Sequence, residues 1–218
     1  GDEDKENRPA NVRQRPTANS TGTKRAKKDH FSPSSAKFKS YLKTIGWVDR
    51  EKGFMRPGTL EIDTGLVPDW HFFNTDEALQ VFLKQHPLLL EKSWDRLWPK
   101  LKEHGWTELG NFNGTSTIGY APVVDGAMMR SAFKSQQDLI RFLHTYPILT
   151  EDWSLLWRRL ASPEGGWIKS TDLFDNIMYL APEYLQGSPV GGFPCERDVR
   201  GFLAGRPDRA LGHLERPP

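Results

Sequence analysis

The chain has 218 residues, of which 37% are hydrophobic, and it carries a formal net charge of +2. Its single cysteine, Cys195, excludes an internal disulfide bond and a zinc site built from several cysteines. None of its apolar runs approaches the roughly 20 residues that a membrane-spanning helix needs, so we expect no membrane partner.

Residues 1–35 differ in composition from the rest of the chain. Their one aromatic residue is Phe31, whereas the whole chain has 12 Phe, 8 Trp and 5 Tyr. They hold eight of the 30 Lys and Arg residues and five of the 28 Asp and Glu residues, a net charge of 8 − 5 = +3. Such a segment buries too little apolar surface to offset its conformational entropy, which predicts a disordered basic tail. Residues 36–218 are left with a charge of 22 − 23 = −1, so they have no overall field that attracts nucleic acid.

Two short motifs in the tail resemble regulatory signals. One is a set of clustered cations that resembles a bipartite nuclear localisation signal; the alternative is a charge run that only keeps the segment solvated. Its residues are Arg13, Arg15, Lys24, Arg25, Lys27 and Lys28. The other is the triplet Lys5, Glu6 and Asn7, which resembles the KEN degron that the anaphase-promoting complex recognises. The two resemblances imply a nuclear location, a nuclear import receptor as a partner, and regulated degradation.

Residues 36–218 contain an internal repeat with a period of about 60 residues, which has to be recognised before a fold is assigned. The pair Phe-Leu occurs at 82–83, 142–143 and 202–203, and the pair Gly-Trp occurs at 46–47, 105–106 and 166–167. Single phenylalanines recur with the same period at Phe73, Phe133 and Phe193. The pattern predicts three tandem units after the tail, at 36–90, 91–149 and 150–218, the last with a C-terminal extension.

Each unit is predicted to contain a helix, a small antiparallel sheet and a second helix, so the expected fold class is α+β. The first helix follows from apolar residues at helical spacing, namely Trp94, Leu97, Trp98 and Leu101, and again Trp153, Leu156, Trp157 and Leu160. Ser93 and Thr150 are its predicted N-caps in the second and third units. The glycine of each Gly-Trp pair predicts a left-handed end to this helix. Pro99 lies past the first turn and predicts a kink.

The sheet and the second helix follow the Gly-Trp pair in each unit. The predicted strands are 117–124 and 176–180, each closed by an Ala-Pro pair. Residues 74–77 and 135–138 have capping-box spacing and predict the start of the second helix. Its buried residues are predicted to be Leu79, Phe82 and Leu83 in the first unit and Leu139, Phe142 and Leu143 in the second. The tryptophans and phenylalanines are therefore expected to form the cores of units that are too small for an aliphatic core alone.

The greater part of each unit resembles the methyl-CpG-binding domain, a small sheet with one helix. That family runs through Gly-Trp, Tyr-x-x-Pro and a basic-Ser step into the helix. The matching residues are Gly105-Trp106, Tyr120-Ala121-Pro122 and Phe133-Lys134-Ser135 in the second unit, and Gly166-Trp167 and Tyr179-Leu180-Ala181-Pro182 in the third. The resemblance implies a sheet-and-helix unit that binds DNA.

The residues that read DNA in that family are missing from this chain. The family reads guanines through arginines on the sheet and at the strand-to-helix step. Lys134 is the one cation at that step here, since Asn74 and Pro194 occupy it in the other units. No arginine precedes Tyr120 or Tyr179. We therefore do not expect recognition of methylated CpG.

A different division of the repeat gives a second DNA-binding alternative. Starting from the Phe-Leu helix, the order is helix, Trp-containing helix and β-hairpin, as in a winged helix-turn-helix. In that arrangement cations of the Trp-containing helices would face phosphates. They are Arg96, Lys100, Lys102, Arg158 and Arg159. The simpler interpretation is that these residues form the solvated face of an amphipathic helix.

The sequence shows no catalytic constellation. The six histidines have no metal-ligand spacing and do not recur at equivalent positions in the units. Cys195 stands at the start of a predicted helix, where Thr75 and Ser135 stand in the other units, and we interpret it as a poor helix cap rather than a nucleophile. We therefore expect no enzymatic activity, no metal and no cofactor.

The function expected from the sequence is that of a non-enzymatic nuclear binding protein. Its tandem units would form an array for protein partners. The alternative is a DNA- or chromatin-binding array, for which we expect at most weak, non-specific binding to nucleic acid. The oligomeric state is left open by the sequence.

Overall fold

The computed structural model of the chain describes residues 36–59, 65–110, 119–122, 133–185, 188–189 and 192–214. All of them belong to one unit that spans residues 31–218. The predicted disordered tail, the nuclear localisation signal and the degron lie outside the described residues.

Helices and short strands alternate along the described chain. The first part contains α1 (Ala36–Ile45), β1 (Val48–Arg50), β2 (Gly53–Met55), β3 (Phe72–Phe73) and α2 (Asp76–Gln85). A 3₁₀ helix (Pro87–Leu90) leads to the second part, which contains α3 (Trp94–Glu103), β4 (Trp106–Leu109), β5 (Gly119–Pro122) and α4 (Gln136–Thr145). Another 3₁₀ helix (Pro147–Thr150) leads to the third part, which contains α5 (Trp153–Leu160), β6 (Ile168–Thr171), β7 (Ile177–Leu180), α6 (Glu196–Gly205) and α7 (Pro207–Leu211). The predicted α+β class is confirmed.

Each part contains one small antiparallel sheet. The sheet of the first part has the strand order β1-β2-β3, whereas the sheets of the second and third parts are the hairpins β4–β5 and β6–β7. In the third hairpin Ile168 lies opposite Leu180, and Thr171 lies opposite Ile177. The predicted strand 176–180 is confirmed to within one residue as β7. Of the predicted strand 117–124, residues 119–122 form β5 and the rest lie outside the described residues.

The phenylalanines that recur with the repeat period occupy corresponding places beside these sheets. Phe73 lies in β3 and pairs with β2. Phe133 forms a single antiparallel bridge to Tyr120 of β5, and Phe193 forms the same bridge to Tyr179 of β7. Each phenylalanine thus sits between the hairpin and the helix that follows it.

The second helix of each part begins close to the predicted place. The Thr75 side chain accepts a hydrogen bond from the N–H of Ala78 at 3.2 Å, and Ser135 accepts one from the N–H of Asp138 at 3.1 Å. The first of these caps is one residue later than the predicted box at 74–77. The Cys195 thiol caps no N–H group among the described residues, which agrees with its interpretation as a poor cap.

The start of the first helix differs from the prediction in the third part. The N-cap of α5 is Asp152, so the prediction of Thr150 is wrong. Thr150 instead ends the preceding 3₁₀ helix, where its hydroxyl donates to the carbonyl of Pro147 at 2.7 Å. Ser93 is the N-cap residue of α3, but its side chain makes no capping hydrogen bond within the described residues. α3 continues through Pro99 to Glu103.

The glycine of each Gly-Trp pair has a positive φ, and Gly46 and Gly105 end α1 and α3 as predicted, whereas α5 ends at Leu160 with Ala161 as its C-cap, so the prediction that Gly166 ends this helix is wrong. The φ angle is 110° at Gly46, 89° at Gly105 and 68° at Gly166. Glycine adopts this left-handed conformation without the strain that a Cβ atom would bring. The tryptophan that follows each glycine is buried: Trp47, Trp106 and Trp167.

Three aromatic residues in each part join the sheet to its second helix. In the second part, the Trp106 ring centroid lies 6.0 Å from that of Phe133 and 6.2 Å from that of Phe142. The corresponding clusters are Trp47, Phe73 and Phe82 in the first part and Trp167, Phe193 and Phe202 in the third. All nine residues belong to the hydrophobic core or pack against it, which confirms the prediction that they are core residues.

A second aromatic cluster joins the first helix to the hairpin. In the second part Trp94 stacks on Trp98, with ring centroids 5.2 Å apart, and both rings meet Tyr120 edge-on at 5.0 and 5.3 Å. Trp98 is 9% exposed, as the predicted buried stripe requires. The third part has the same arrangement with Trp153, Trp157 and Tyr179.

The three parts share one hydrophobic core, because buried residues from all of them form a single cluster. The Trp47 indole donates to Nδ1 of His144 at 3.1 Å and so links the first part to the second. Gly105 allows close approach of the third part, since a Cβ there would lie 2.3 Å from Cγ of Arg197. The described residues 36–214 are therefore one packed body rather than separate domains on linkers.

Candidate functional site

The interior contains a buried ion pair where the third part meets the first. The Glu151 carboxylate is fully buried and receives the Arg159 guanidinium, with Nε 2.8 Å from Oε2 and Nη2 2.8 Å from Oε1. The same guanidinium lies over the Trp70 ring, 5.0 Å from its centroid. The Arg159 side chain is only 9% exposed and is held inside the protein. The structure therefore corrects the prediction that Arg159 contacts phosphates.

Two buried histidines are electrically neutral. Burial, together with the cations Arg159 and Arg56, lowers the pKa of His86 to about 3. Burial, with a contribution from Arg56, lowers the pKa of His144 to about 3 as well. Nε2 of His86 lies 3.9 Å from the Glu151 carboxylate, but the neutral imidazole makes this a polar contact rather than an ion pair. Enclosed histidines with such low pKa values do not serve as general bases near pH 7.

The thiol of Cys195 has a raised pKa. Burial raises the pKa of the Cys195 thiol, and its Sγ donates a hydrogen bond to Oδ2 of Asp198 at 3.1 Å. The thiol therefore stays protonated, which is its unreactive form. Among the residues that the structure describes, no group of three or more His, Cys, Asp or Glu side chains is arranged to hold a metal ion. The helices within the same ranges are all too short or too polar to cross a bilayer.

The other predicted nucleic-acid contacts lie on the surface of separate elements. Arg96, Lys100 and Lys102 are exposed on α3, Lys134 is exposed just before α4, and Arg158 is exposed on α5. The Lys100 ammonium lies 3.7 Å from the Glu91 carboxylate, which offsets part of its charge. α3 also carries two acidic residues, Asp95 and Glu103. A role for these cations in binding stays a prediction.

Among the described residues, exposed large apolar side chains are concentrated on the β6–β7 hairpin of the third part. Leu173 and Phe174, at its turn, are 98% and 83% exposed. Ile168 in β6 and Ile177 in β7 are also exposed. Single exposed apolar residues are ordinary in proteins, whereas a group of large ones marks a surface for interaction. We refer to Leu173 and Phe174 as the knob.

The turn that carries the knob is held by its own hydrogen bonds. The Asp172 carboxylate accepts from the backbone N–H of Phe174 at 2.8 Å and of Asn176 at 2.9 Å. It also accepts from the Asn176 side-chain amide at 2.9 Å. Asp175 adopts a left-handed conformation with φ 62°, which aspartate tolerates better than most residues. These bonds therefore define the backbone conformation of the turn that carries the knob.

The opposite end of the hairpin is anchored on the aromatic cluster of α5. The rings of Trp153 and Trp157 meet Tyr179 of β7 edge-on, with centroids 5.2 and 5.0 Å away. The Lys169 ammonium of β6 lies 5.8 Å from the Trp157 centroid and 5.6 Å from the Tyr179 centroid. Such cation–π contacts add to the attachment of the hairpin to the helix. The knob thus stands on a rigid support.

The knob is a feature of the third part and not of the first. The turn between β1 and β2 consists of exposed Glu51 and Lys52. The residues between β4 and β5, 110–118, lie mostly outside the described ranges. Of the two hairpin turns that the structure describes, only the turn of the β6–β7 hairpin carries large apolar side chains. Its exposure is therefore a local property of the sequence around residue 173 rather than a requirement of the hairpin.

Two open grooves follow the joints between the parts. One has a volume of about 460 Å³ and is lined by Tyr41 and Ile45 of the first part and Trp94 and Ile140 of the second. The other, of about 410 Å³, is lined by residues of all three parts: Arg56, His71, Tyr146 and Asp208 among them. In the second groove the Tyr146 hydroxyl donates to the Asp208 carboxylate. Both grooves lie where the surfaces of neighbouring parts meet.

Comparison with protein-family models, with curated proteins and with solved structures gave no match to this chain. A function for the chain therefore has to follow from its own geometry.

Sequence reasoning missed the knob, although a signal was present. Asp172 and Asn176 favour turns, and they enclose Leu173 and Phe174. Exposed turns usually carry polar residues, so two large apolar residues inside a strong turn pattern indicate a contact surface. This signal is independent of the repeat period, which directs attention to residues at corresponding positions in the three parts.

A second missed signal marks the joints between the parts. His86, Tyr146 and Arg206 recur with the repeat period, each directly before a proline that begins a short helix. Each side chain lies against a phenylalanine of the preceding helix, at 4.6 Å from Phe82, 5.1 Å from Phe142 and 5.2 Å from Phe202 respectively. The same backbone position thus carries three different side chains, and each joint makes its own contacts.

Proposed function

We propose that this chain is a non-enzymatic protein-interaction module built from three tandem units, 36–90, 91–149 and 150–218. The order of helix, hairpin and helix in each part supports the division into units, as do the three aromatic clusters at corresponding positions. The observation that carries the proposed function is the knob, with Leu173 and Phe174 98% and 83% exposed on a fixed turn.

The physical chemistry of the knob favours binding over a structural role. Side chains as exposed as Leu173 and Phe174 contribute little to the folded state. Burial of each against a partner would stabilise a complex by roughly 1.5–3 kcal/mol. Because hydrogen bonds already order the turn backbone, little backbone entropy is lost when a partner covers it. Large side chains that become fully buried in a pocket of the partner carry most of the binding energy of protein interfaces.

Site-specific cross-linking in cells that naturally contain this protein tests the proposal. A photoreactive phenylalanine analogue at position 174 is expected to capture a discrete protein, and Leu173→Ser in the same chain is expected to abolish the product. The matched control places the analogue at Val81, an apolar residue that is 56% exposed on α2. Capture of the same proteins from both positions, or of none from position 174, would contradict the proposed function.

The second candidate is a DNA- or chromatin-binding array. It is favoured by the order α2, 3₁₀ helix, α3 and hairpin, which follows a winged helix, and by the exposed cations Arg96, Lys100 and Lys102. We expect residues 36–218 to bind duplex DNA at most weakly, since their net charge is −1. Fluorescence anisotropy over a salt series measures this. Sub-micromolar affinity with a steep salt dependence would replace the first proposal with this one.

A nuclear location and use of the degron are part of the proposal and rest on the tail. Replacement of Lys24, Arg25, Lys27 and Lys28 with alanine is expected to move a fluorescent fusion of the chain from the nucleus to the cytoplasm, because an import receptor binds clustered cations. The control replaces the Lys and Glu of the KEN triplet, which should lengthen the lifetime of the fusion and leave its location unchanged. If the alanine variant still accumulates in the nucleus, these cations are not a nuclear localisation signal.

A further inference from the structure

The knob is bracketed by two carboxylates. Asp172 directly precedes it and Asp175 directly follows it, and Asp175 is exposed. The side-chain amide of Asn176, followed by the backbone N–H groups of Asn176 and Phe174, lowers the pKa of Asp172, so this carboxylate is ionised near pH 7. The lysine of the hairpin, Lys169, lies at the other end over aromatic rings. The end of the hairpin therefore combines two large apolar side chains with two negative charges.

The shape of this surface restricts what can cover it. The knob is convex, and side chains that are 98% and 83% exposed become buried only in a concave surface. When Leu173 and Phe174 enter such a pocket, the adjacent carboxylates of Asp172 and Asp175 reach its rim. The Asp172 carboxylate already accepts hydrogen bonds within the turn, whereas the Asp175 carboxylate would lose water at the rim, and without a new partner that loss would offset much of what the knob gains. The rim of the pocket must then supply cations.

The charge of the turn also argues against a lipid surface as the partner. Segments that insert apolar side chains into membranes combine them with lysine or arginine, which contact anionic headgroups. Here the residues beside the knob are acidic, so a membrane with a negative surface potential would repel them. A protein pocket with lysine or arginine at its edge satisfies both the apolar and the charged groups.

We infer that the partner of this chain presents an apolar pocket rimmed by lysine or arginine, in which Leu173 and Phe174 insert and whose cations pair with Asp172 and Asp175. This inference rests on the proposed function. Arginine suits the rim best, because its planar guanidinium forms paired hydrogen bonds with a carboxylate.

The test uses a surface-displayed library of protein domains encoded by the same genome as this chain. The library is sorted for binding to the purified chain, and every selected domain is then measured against three variants. Leu173→Ser with Phe174→Ser removes the knob. Asp175→Asn removes one charge and keeps the turn, because asparagine accepts a left-handed conformation. Val81→Ser is the matched control for loss of an exposed apolar side chain.

The expected result separates the apolar from the charged contribution. The double serine variant should weaken binding at least about 100-fold. Asp175→Asn should weaken it about fivefold, and the affinity of this variant should depend less on salt than that of the unaltered chain. Val81→Ser should bind as the unaltered chain does. All variants should melt at the same temperature, because the substituted side chains are exposed.

Several outcomes would overturn the inference, and they are distinguishable from failure of the proposed function. Knob-dependent binding that is unaffected by Asp175→Asn and by salt would contradict the cationic rim and leave the protein-interaction function intact. Binding that survives the double serine variant, or no selected domain at all, would contradict the proposed function itself. Knob-dependent sedimentation with phosphatidylcholine or phosphatidylserine vesicles would make the partner a membrane. A knob-dependent dimer in sedimentation velocity would make it a second copy of this chain.

Discussion

At the scale of single residues, the tryptophans have two roles that their spacing alone does not separate. Trp106 follows a helix-ending glycine and lies in the cluster between sheet and second helix. Trp98 lies one turn after Trp94 and packs against the hairpin through Tyr120. The sequence predicted burial for both, because helical spacing and the glycine turn are local signals. The sequence did not predict which residues these tryptophans contact, because those contacts depend on how the hairpin packs against the helices.

Trp98→Ala is expected to lower the free energy of unfolding by about 3–5 kcal/mol, because it leaves a cavity between α3 and the hairpin. Urea denaturation followed by circular dichroism measures this change. The matched control is Phe174→Ala, since that ring is 83% exposed and its loss should leave the stability unchanged. A melting temperature for Trp98→Ala within a degree or two of the unaltered chain would show that Trp98 is not a core residue.

At the scale of elements, the signals that lie within a few residues of each other were the most reliable. The positive φ of Gly105, the cap at Ser135 and strand β7 follow from the glycine, the capping box and the β-prone run. Thr150 was misassigned because a 3₁₀ helix precedes α5, and a serine or threonine at the end of one helix looks like the cap of the next. Short 3₁₀ helices have no periodic pattern long enough to be recognised in the sequence.

The three second helices offer a comparison of caps. At the N-cap, Ser135 accepts from the N–H of Asp138, and its hydroxyl donates to the Asp138 carboxylate at 2.7 Å. Cys195 and Asp198 are in the same relation through the contact between the thiol and the carboxylate, but within the described residues the thiol makes no N-cap hydrogen bond. Cys195→Ser should therefore complete the cap of α6.

Cys195→Ser is expected to raise the free energy of unfolding by about 0.5–2 kcal/mol, the usual worth of a serine N-cap. Urea denaturation of the variant measures it. Ser135→Ala should change the stability by a similar amount in the opposite direction and serves as the matched comparison. No gain from Cys195→Ser, together with a loss from Ser135→Ala, would mean that the geometry around residue 195 prevents capping.

At the scale of the whole molecule, the sequence predicted three units but gave no signal for how the parts pack. The repeat period points to residues at corresponding positions, and the contacts between the parts use residues outside that pattern. Trp70 has no counterpart in the repeat, yet it is fully buried beneath the Arg159 guanidinium. Glu151 and Arg159 look like ordinary surface charges in the sequence. They are buried because the first part packs against them, and no pattern of neighbouring residues in the sequence predicts this packing.

The buried histidines make the stability of the whole molecule dependent on pH. Unfolded histidines take up protons with a pKa near 6.5. In the folded chain the pKa values of His86 and His144 are about 3. Between pH 7 and pH 5 the unfolded chain thus binds more protons at these residues, so the folded state loses stability as the pH falls. Burial lowers the pKa of His104 as well, to about 4, which adds to the same trend. Burial raises the pKa of Glu151, which acts in the opposite sense, but as one group against three.

His144→Asn is expected to reduce this pH dependence. Asparagine keeps an acceptor for the Trp47 indole and does not titrate. The loss of unfolding free energy between pH 7 and pH 5 should shrink by about 2 kcal/mol, which is the linkage contribution of one such histidine. Urea denaturation at both pH values measures the difference. An equal loss in the variant and the unaltered chain would show that His144 is not held neutral in the folded state.

The joints between the parts have a consequence for how such a chain evolves. The joint at His86 packs against Thr150 and Glu151, whereas the joint at Tyr146 packs against Asp208. A recombination event that deleted or duplicated the middle part would place the residues of one joint against the partner residues of a different joint. Buried polar groups would then be left without hydrogen-bond partners. We therefore expect descendants of this gene to keep the number and order of the parts. Their divergence should be greatest at the hairpin turns, where a new side chain alters the surface without disturbing a joint.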